Sequence, residues 1–134
     1  MYEYDYGNGH VIGLNGAGSG YPSDAWVNCP FASYDSKQGG VYPVVRYLGL
    51  YHSSASPGWP VVDRVSVWNG CNLIQTIYFS PSLSHSGGEC AVDVIDLGAY
   101  YRFNRGLMMC VHITNGAGSQ SSIMIGGYGA RFEW

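Results

Sequence analysis

Runs of alternating side chains, separated by glycine-rich turns, are the feature that most constrains how this chain can fold. In residues 61–68 one face would carry Val61, Asp63, Val65 and Val67, and the other Val62, Arg64, Ser66 and Trp68. Asn69-Gly70 follows directly, and this dipeptide is the strongest short signal for a β-hairpin. A period of two residues is typical of a strand, and no stretch shows the 3.6-residue apolar period of a capped helix. The chain is therefore predicted to be all-β.

Similar runs recur along the chain and indicate eight or nine strands with little or no helix. They cover residues 10–14, 25–31, 41–52, 61–68, 73–79, 90–97, 107–113 and 122–134. In residues 41–52 the alternation places Val45 and Tyr47 on one face and Leu48 and Leu50 on the other. Glycine makes up 20 of the 134 residues, about twice its usual share of ~7%, and it supplies the tight turns that many short strands need.

The length and the hydrophobic content predict the overall architecture. The 134 residues suit one domain, 1–134, and a hydrophobic fraction of 46% is enough for a real core. The expected fold is a two-sheet antiparallel β-sandwich of jelly-roll or Greek-key type. Residues 1–9 alternate tyrosine with acidic residues and end in glycine, so we expect them to form a loose N-terminal arm.

The charge pattern excludes some classes of partner. Six basic residues stand against nine acidic ones and are not clustered, whereas a nucleic-acid surface needs several grouped cations. No apolar run is long enough for a membrane helix, and the N-terminus lacks the basic and apolar regions of a signal peptide. We expect a cytoplasmic protein that binds neither nucleic acid nor membrane and needs no cofactor, although a leaderless exported or assembled protein would share these features.

Four cysteines, Cys29, Cys71, Cys90 and Cys110, leave two states open. An even number permits two disulfides in any of three connectivities. Each cysteine lies beside apolar or strand-like residues, however, and unpaired cysteine is among the most buried residue types. Together with the missing export signal, this favours reduced thiols in the core.

A short motif occurs twice, as Asn15-Gly-Ala-Gly-Ser19 and as Asn115-Gly-Ala-Gly-Ser119. Glycine-rich loops of this kind can hold phosphate when a helix begins directly after them. Neither copy is followed by a helical pattern. We therefore interpret both copies as flexible hairpin turns.

Residues capable of metal or acid–base chemistry are present without a decisive spacing. Cys110 and His112 are two positions apart and would share a strand face, but a zinc site needs three or four ligands, so no metal is predicted and these two are weak candidates. His85 lies in a Ser/Gly loop and is expected to be solvated, and Asp93 and Asp96 should face opposite sides of their strand. No catalytic residue is assigned. The alternative is an enzyme of the cupin or glycosidase kind, whose site would use His52, His112 and the region of Asp93.

Aromatic residues in turns make a carbohydrate the most reasonable small ligand for this chain, because a sugar ring can stack on an exposed aromatic side chain. Trp59 lies in a turn between two prolines, and a second aromatic and polar segment supplies Tyr100, Tyr101, Arg102 and Asn104. These residues are the candidate ligand-binding site, and the alternative is that their rings fill the ends of the sandwich. Trp26 and Trp68 fall within predicted strands and are expected in the core.

Self-association is the other expected property. Charged residues make up 11% of the chain, so much of the surface must be neutral, and neutral surfaces rich in tyrosine favour interfaces. Tyr2, Tyr4 and Tyr6 are candidates for docking on a neighbouring copy in a homo-oligomer, with a frayed terminus as the alternative.

Several short motifs occur in the order found in one known family. They are Trp26-Val-Asn-Cys-Pro30-Phe31, Val65-Ser-Val67-Trp-Asn-Gly70, Gly106-Leu-Met-Met-Cys-Val111 and Tyr128-Gly-Ala-Arg-Phe132. In these motifs the chain resembles a family of small bacterial all-β domains of unknown function, from about residue 9 to the end. It departs from that family in lacking a second proline-rich step after Pro30. The resemblance implies a jelly-roll-like sandwich and no activity, so a non-catalytic binding or structural module remains the leading interpretation.

Overall fold

The computed structural model describes residues 2–6, 9–31 and 43–133, with side chains from residue 9 onward. Nine strands lie in these ranges: β1 (Tyr2–Tyr6), β2 (Gly9–Leu14), β3 (Asp24–Pro30), β4 (Val44–Ser54), β5 (Val61–Asn69), β6 (Asn72–Leu83), β7 (Ala91–Arg102), β8 (Leu107–Thr114) and β9 (Ser121–Glu133). The described ranges contain no helix, which confirms the predicted all-β class. A helix able to cross a membrane is accordingly absent from them.

The strands form two antiparallel sheets, of order β1-β2-β9-β4-β7 and β3-β8-β5-β6. The pairs β2–β9, β3–β8, β4–β7 and β5–β6 nest inside one another like the two arms of a long hairpin. Further pairing of β4 with β9 and of β5 with β8 joins these pairs into the two sheets. This double Greek key is a jelly roll, as predicted.

The core lies between the two sheets. Its fully buried members include Leu50 of β4, Val65 of β5, Met109 of β8 and Ile123 of β9. Successive strand residues point to opposite faces, so the inward residues of β8 are Leu107, Met109, Val111 and Ile113. The residues between them are left on the outer face of the four-stranded sheet.

A β-bulge in β4 corrects the predicted faces of that strand. The register of β4 against both β7 and β9 shifts just after Val45. An extra residue at a bulge reverses the alternation, and Val45 and Leu48 are consequently both buried. The prediction that they lie on opposite faces was wrong for this reason.

The N-terminal segment is paired with the rest of its own chain. Residues 2–6 form β1, which lies antiparallel to β2 with Tyr4 opposite Val11. The prediction of a loose arm was therefore wrong for these residues, because backbone hydrogen bonds hold them at the sheet edge. The side chains of Tyr2, Tyr4 and Tyr6 lie outside the described part of the structure, and their docking on a neighbour stays a prediction.

All four cysteines carry free thiols. Cys29 is buried in the core, and burial raises the pKa of its thiol to about 12. Cys71 is exposed, and Cys90 and Cys110 are half-buried. The cysteines are unpaired as favoured from the sequence, but the expectation of core thiols holds for Cys29 and fails for Cys71.

The two Asn-Gly-Ala-Gly-Ser turns pack against each other at one end of the sandwich. The Ala17 amide donates to the Ala117 carbonyl at 2.7 Å. The buried amide of Asn115 donates to the carbonyl oxygens of Leu14, Asn15 and Ser119. The repeated motif thus forms one joined structure rather than two independent turns.

Candidate functional site

A row of four side chains crosses the outer face of the four-stranded sheet. Trp26 of β3 pairs with His112 of β8, His112 with Arg64 of β5, and Arg64 with Tyr78 of β6. The strand registers therefore bring together residues that are far apart in the sequence. We call these four residues the aromatic row.

His112 is held between two carboxylates. Its Nδ1 lies 2.6 Å from Oδ1 of Asp63, and its Nε2 lies 2.9 Å from Oδ2 of Asp24. Ionised carboxylates can only accept, so both contacts are hydrogen bonds when the ring carries two protons or when one carboxyl is protonated. In either state both ring nitrogens are engaged, which leaves His112 unsuited to act as a general base. The sequence hypothesis placed His112 in a catalytic site. That role needs an open ring nitrogen, and in this structure both nitrogens of His112 contact carboxylates.

The fixed imidazole supports an exposed tryptophan. The rings of Trp26 and His112 have centroids 4.7 Å apart, and 47% of the surface of Trp26 is exposed. The Arg64 guanidinium lies 5.2 Å from the centre of the Trp26 ring and 5.7 Å from that of Tyr78, within the range of cation–π attraction. The indole is held in place although it faces solvent.

A row of polar side chains lies next to the aromatic row on the same face, two residues away along each strand. Asn28, Cys110, Ser66 and Thr76 are neighbours in register. The Cys110 thiol donates to Oδ1 of Asn28, and the hydroxyls of Ser66 and Thr76 lie 3.1 Å apart. Cys110 and His112 thus share a face as predicted, but they bind different partners and do not form a joint metal site.

A cleft of about 440 Å³ lies on the other side of Trp26, between the edge of β3 and strands β2 and β9. Trp26, Asn28, His10 and Tyr128 contribute to its lining. Burial raises the pKa of Tyr128, whose hydroxyl donates to the carbonyl of Pro30 at 2.9 Å. Trp26 therefore borders both the open sheet face and a recess large enough for a small ligand.

The structure does not unite the predicted ligand-binding residues. Trp59 lies just before β5 and packs its ring on Gly116, whereas Asn104 accepts a hydrogen bond from Asn69 at the far end of β5. Nine strand residues separate these two places, a distance of roughly 25–30 Å. They cannot contribute to one small site.

The predicted aromatic segment also has partners of its own. Tyr100 and Tyr101 fall within β7 and point to opposite faces. The Arg46 guanidinium lies 5.8 Å from the ring centre of Tyr100, and the Tyr101 hydroxyl donates to Gln75. Arg102 is exposed where β7 ends.

Two tryptophans expected in the core lie on the outer face instead. Trp26 alternates with Val27 and Cys29, which face inward, and half-buried Trp68 alternates with buried Val67. The alternation of apolar residues in β3 and β5 already placed both tryptophans on the face opposite the core. The prediction of a core position instead followed the high average burial of tryptophan. Membership in a strand does not decide which of its faces a residue occupies.

A second cluster brings together part of the predicted enzyme site. Nε2 of His52 lies 2.7 Å, and Nε2 of His85 lies 2.8 Å, from the same Oδ2 of Asp93. One donor atom from each residue lies within 4.8 Å of the other two, the one such group of potential metal ligands among the described residues. His112 lies elsewhere, on the outer face of the other sheet. His85, which was expected to be solvated, contacts Asp93 and is only partly exposed.

Burial sets the protonation of the innermost residue of this cluster. His52 has no exposed surface, and desolvation lowers its pKa below 6.5 more strongly than the hydrogen bond to Asp93 raises it. Nδ1 of His52 has no hydrogen-bond partner among the described residues. The ring is therefore neutral near neutral pH.

No protein-family model, curated protein or solved structure matches this chain.

Proposed function

We propose that this chain is a non-catalytic module that binds a carbohydrate at Trp26, on the outer face of the four-stranded sheet. The observation that carries the proposal is an exposed indole, half open to solvent, whose position is held by His112 and Arg64. This differs from the loop site expected from the sequence in its location and not in its chemistry.

A sugar ring matches such a surface because it has an apolar C–H face and a rim of hydroxyl groups. The C–H face stacks on an aromatic ring, and an aromatic side chain with two rotatable bonds loses little entropy on binding. Arg64 and Asp24 flank the indole, and Asn28 lies one pair along β3. These groups can donate to and accept from hydroxyls, which is how a few polar residues orient a ligand in a site.

The arrangement favours binding over catalysis. Catalysis by His112 would need a ring nitrogen able to take or give a proton to a substrate, but both nitrogens contact carboxylates. Those carboxylates in turn hold the ring as a support for Trp26. A rigid support is of direct use to a binding surface, because less freedom is lost when the ligand arrives.

Affinity electrophoresis in gels containing a panel of neutral and uronic-acid polysaccharides tests the proposal. The wild-type chain should be retarded by at least one polysaccharide, and Trp26→Ala should remove the retardation. Trp59→Ala is the matched control, and we expect it to leave the retardation in place. Retardation that is lost in Trp59→Ala and kept in Trp26→Ala would move the site back to the turn, and no retardation of the wild type by any member would contradict sugar binding.

Self-association is a second proposed property, and the outer face of the five-stranded sheet favours it. Gly49 of β4 pairs with Gly129 of β9, and the missing side chains leave a trough of about 490 Å³. Tyr51, Val92 and Val94 border this trough, and Val94 is 69% exposed. A contiguous apolar surface of this kind is typical of protein contacts.

A further inference from the structure

We propose that His52, His85 and Asp93 form a binding site for one first-row divalent transition-metal ion, represented by Zn²⁺. The cluster lies at the end of the sandwich where β4 ends and β7 begins. Asp93 stands opposite Leu50 in register, and His52 follows Leu50 by two residues, so both side chains point inward. The site is separate from the aromatic row and independent of the proposed sugar binding.

The types of donor atom select the class of ion. Two imidazole nitrogens and one carboxylate oxygen converge here. Mg²⁺ and Ca²⁺ prefer sites made of oxygen atoms, whereas imidazole suits Zn²⁺, Fe²⁺, Ni²⁺ and Cu²⁺. With no thiol in the set, the site also does not favour the softest ions.

The distances require a small adjustment on binding. Tetrahedral ligands about 2.0–2.1 Å from a zinc ion lie about 3.3 Å from each other. The two nitrogen–oxygen contacts are 2.7 and 2.8 Å, so an ion would widen each of them by about half an ångström. Movement of the partly exposed His85 side chain can widen its own contact, and rotation of the partly exposed Asp93 carboxylate can widen the contact to the enclosed His52.

The backbone around His85 is held in place by contacts that do not involve its ring. The Ser54 amide donates to the His85 carbonyl at 2.7 Å, and Ser54 and Ser86 form a parallel bridge. Since Ser54 lies two residues after His52, this contact fixes the connection beside β4. A site whose ligands already converge loses less entropy when an ion binds.

The cluster is accessible from one side. The Asp93 and His85 side chains are 23% and 32% exposed, whereas that of His52 is not exposed at all. Three protein ligands with an open side leave the fourth position of a tetrahedral ion to water or a small ligand.

The alternative is a hydrogen-bonded cluster without an ion. Asp93 can accept an N–H from each imidazole, which satisfies the carboxylate oxygen. The two arrangements differ in the state of Nε2, since a metal ligand must offer its lone pair there. A neutral imidazole offers that lone pair once its proton moves to Nδ1 of the same ring. The two arrangements are therefore separated by measuring whether one equivalent of the ion binds.

Isothermal titration of the full chain with ZnCl₂, after treatment with chelator and its removal, provides the test. We expect one equivalent to bind, and both His85→Ala and Asp93→Asn to weaken the affinity at least tenfold. Co²⁺ in place of Zn²⁺ should give visible d–d absorption without a thiolate charge-transfer band. Circular dichroism of His85→Ala should match the wild type, because this half-exposed loop residue is outside the core.

Cys110→Ser is the matched control, since Cys110 is the thiol that the sequence offers as a weak candidate ligand. We expect this variant to bind Zn²⁺ with unchanged affinity. The absence of stoichiometric binding by the wild type would overturn the proposal, as would full affinity in a folded His85→Ala variant. A thiolate band in the Co²⁺ spectrum would equally overturn it by assigning the ion to cysteine.

Discussion

Gly116 shows how one missing side chain positions an aromatic ring. A Cβ atom on Gly116 would lie 2.5 Å from two atoms of the Trp59 ring, closer than such atoms can approach. Gly118, in the same turn, would meet no atom within 4 Å. The indole of Trp59 thus occupies space that only a glycine leaves open, which accounts for its contact with the turn better than a role in ligand binding does.

The two glycines make a matched pair for a stability experiment. Gly116→Ala should lower the free energy of unfolding by about 1–3 kcal/mol through overpacking, whereas Gly118→Ala should change it by less than about 0.5 kcal/mol. In a Trp59→Ala background the cost of Gly116→Ala should largely vanish, because the clashing ring is gone. Urea unfolding of the wild type and the four variants measures this, and equal costs in both backgrounds would contradict the contact.

The ion pair of Arg46 and Asp96 predicts that the free energy of unfolding depends on pH. Nε and Nη2 of Arg46 lie 2.8 and 3.1 Å from the two Asp96 oxygens, and the Gly98 amide also donates to Asp96. The Arg46 hydrogen bond and, after it, the Gly98 amide hold the pKa of Asp96 below 3.8. At pH values between the folded and unfolded pKa of Asp96, the unfolded chain binds more protons than the folded chain. The stability contributed by the ion pair is therefore present above 3.8 and is lost as the pH falls through the folded pKa.

Carboxyl NMR titration of Asp96 is the direct measurement of this effect. Arg46→Met should raise the pKa of Asp96 part of the way back towards 3.8, with the Gly98 amide keeping the remainder low. Arg131→Met is the control, since Arg131 pairs with Glu133 instead. An unchanged Asp96 pKa in Arg46→Met would show that the guanidinium does not set it.

Several residues of the candidate sites could be named from the sequence, but which of them contact one another could not. His52 and Asp93 were both named from the sequence, yet 41 positions separate them. His112 is 49 positions from Asp63 and 88 from Asp24. Local spacing carries no information about contacts of this range, because they are created by strand pairing.

At the scale of elements, the Asn115 side chain joins two turns that lie a hundred residues apart in the chain. It donates to Asn15 and Ser119 carbonyls at 3.1 Å, and its Oδ1 accepts from the Ala117 amide. The Asn15 side chain instead donates to the carbonyl of Pro22, within its own turn. The two asparagines occupy the same place in the repeated motif, but we expect them to contribute very differently to stability.

We expect Asn115→Ala to cost about 2–4 kcal/mol of unfolding free energy, because several buried backbone groups lose their partner together. Asn15→Ala should cost less than about 1 kcal/mol, since one half-exposed bond is lost. Chemical denaturation measures both values, and hydrogen exchange should become faster at the amide of Ala117 in Asn115→Ala. Similar costs for the two variants would show that the junction is not held by Asn115.

The strands were predictable as elements because their alternation is local, and their irregularities were not. The breaks in β4 after Val45 and in β5 between Val62 and Arg64 are bulges in the registers of both strands. Counting alternate residues across a bulge reverses the faces that follow. This explains why the extents of β4 and β5 were predicted closely while two face assignments were wrong. Val45 lies in the core with Leu48, and Val62 lies in the core with Val65, although each pair was assigned to opposite faces.

For the molecule as a whole, the jelly roll was predictable because period-two runs between glycine-rich turns admit few other folds. Which strands become neighbours depends on how the long hairpin rolls up, and neither composition nor spacing specifies that. The exposed position of Trp26 and the trough beside Gly49 both result from it. The resemblance to small bacterial all-β domains remains a prediction.

Self-association is the prediction that belongs to this scale, and two surfaces compete for it. The trough on the five-stranded sheet offers Val92 and Val94, whereas the sequence hypothesis assigns the contact to Tyr2, Tyr4 and Tyr6. Light scattering at increasing concentration should give a mass above that of one 14.5 kDa chain. If the trough is the interface, Val94→Lys should restore the monomer, because burying an unpaired ammonium is costly.

The control is Leu73→Lys, which places the same charge at a residue 51% exposed on the other sheet and should leave the mass unchanged. Replacing Tyr2, Tyr4 and Tyr6 by serine tests the N-terminal alternative in the same experiment. Loss of the assembly in the tyrosine variant, with Val94→Lys still assembled, would move the interface to β1. A wild-type chain that stays monomeric at every concentration would contradict self-association through either surface.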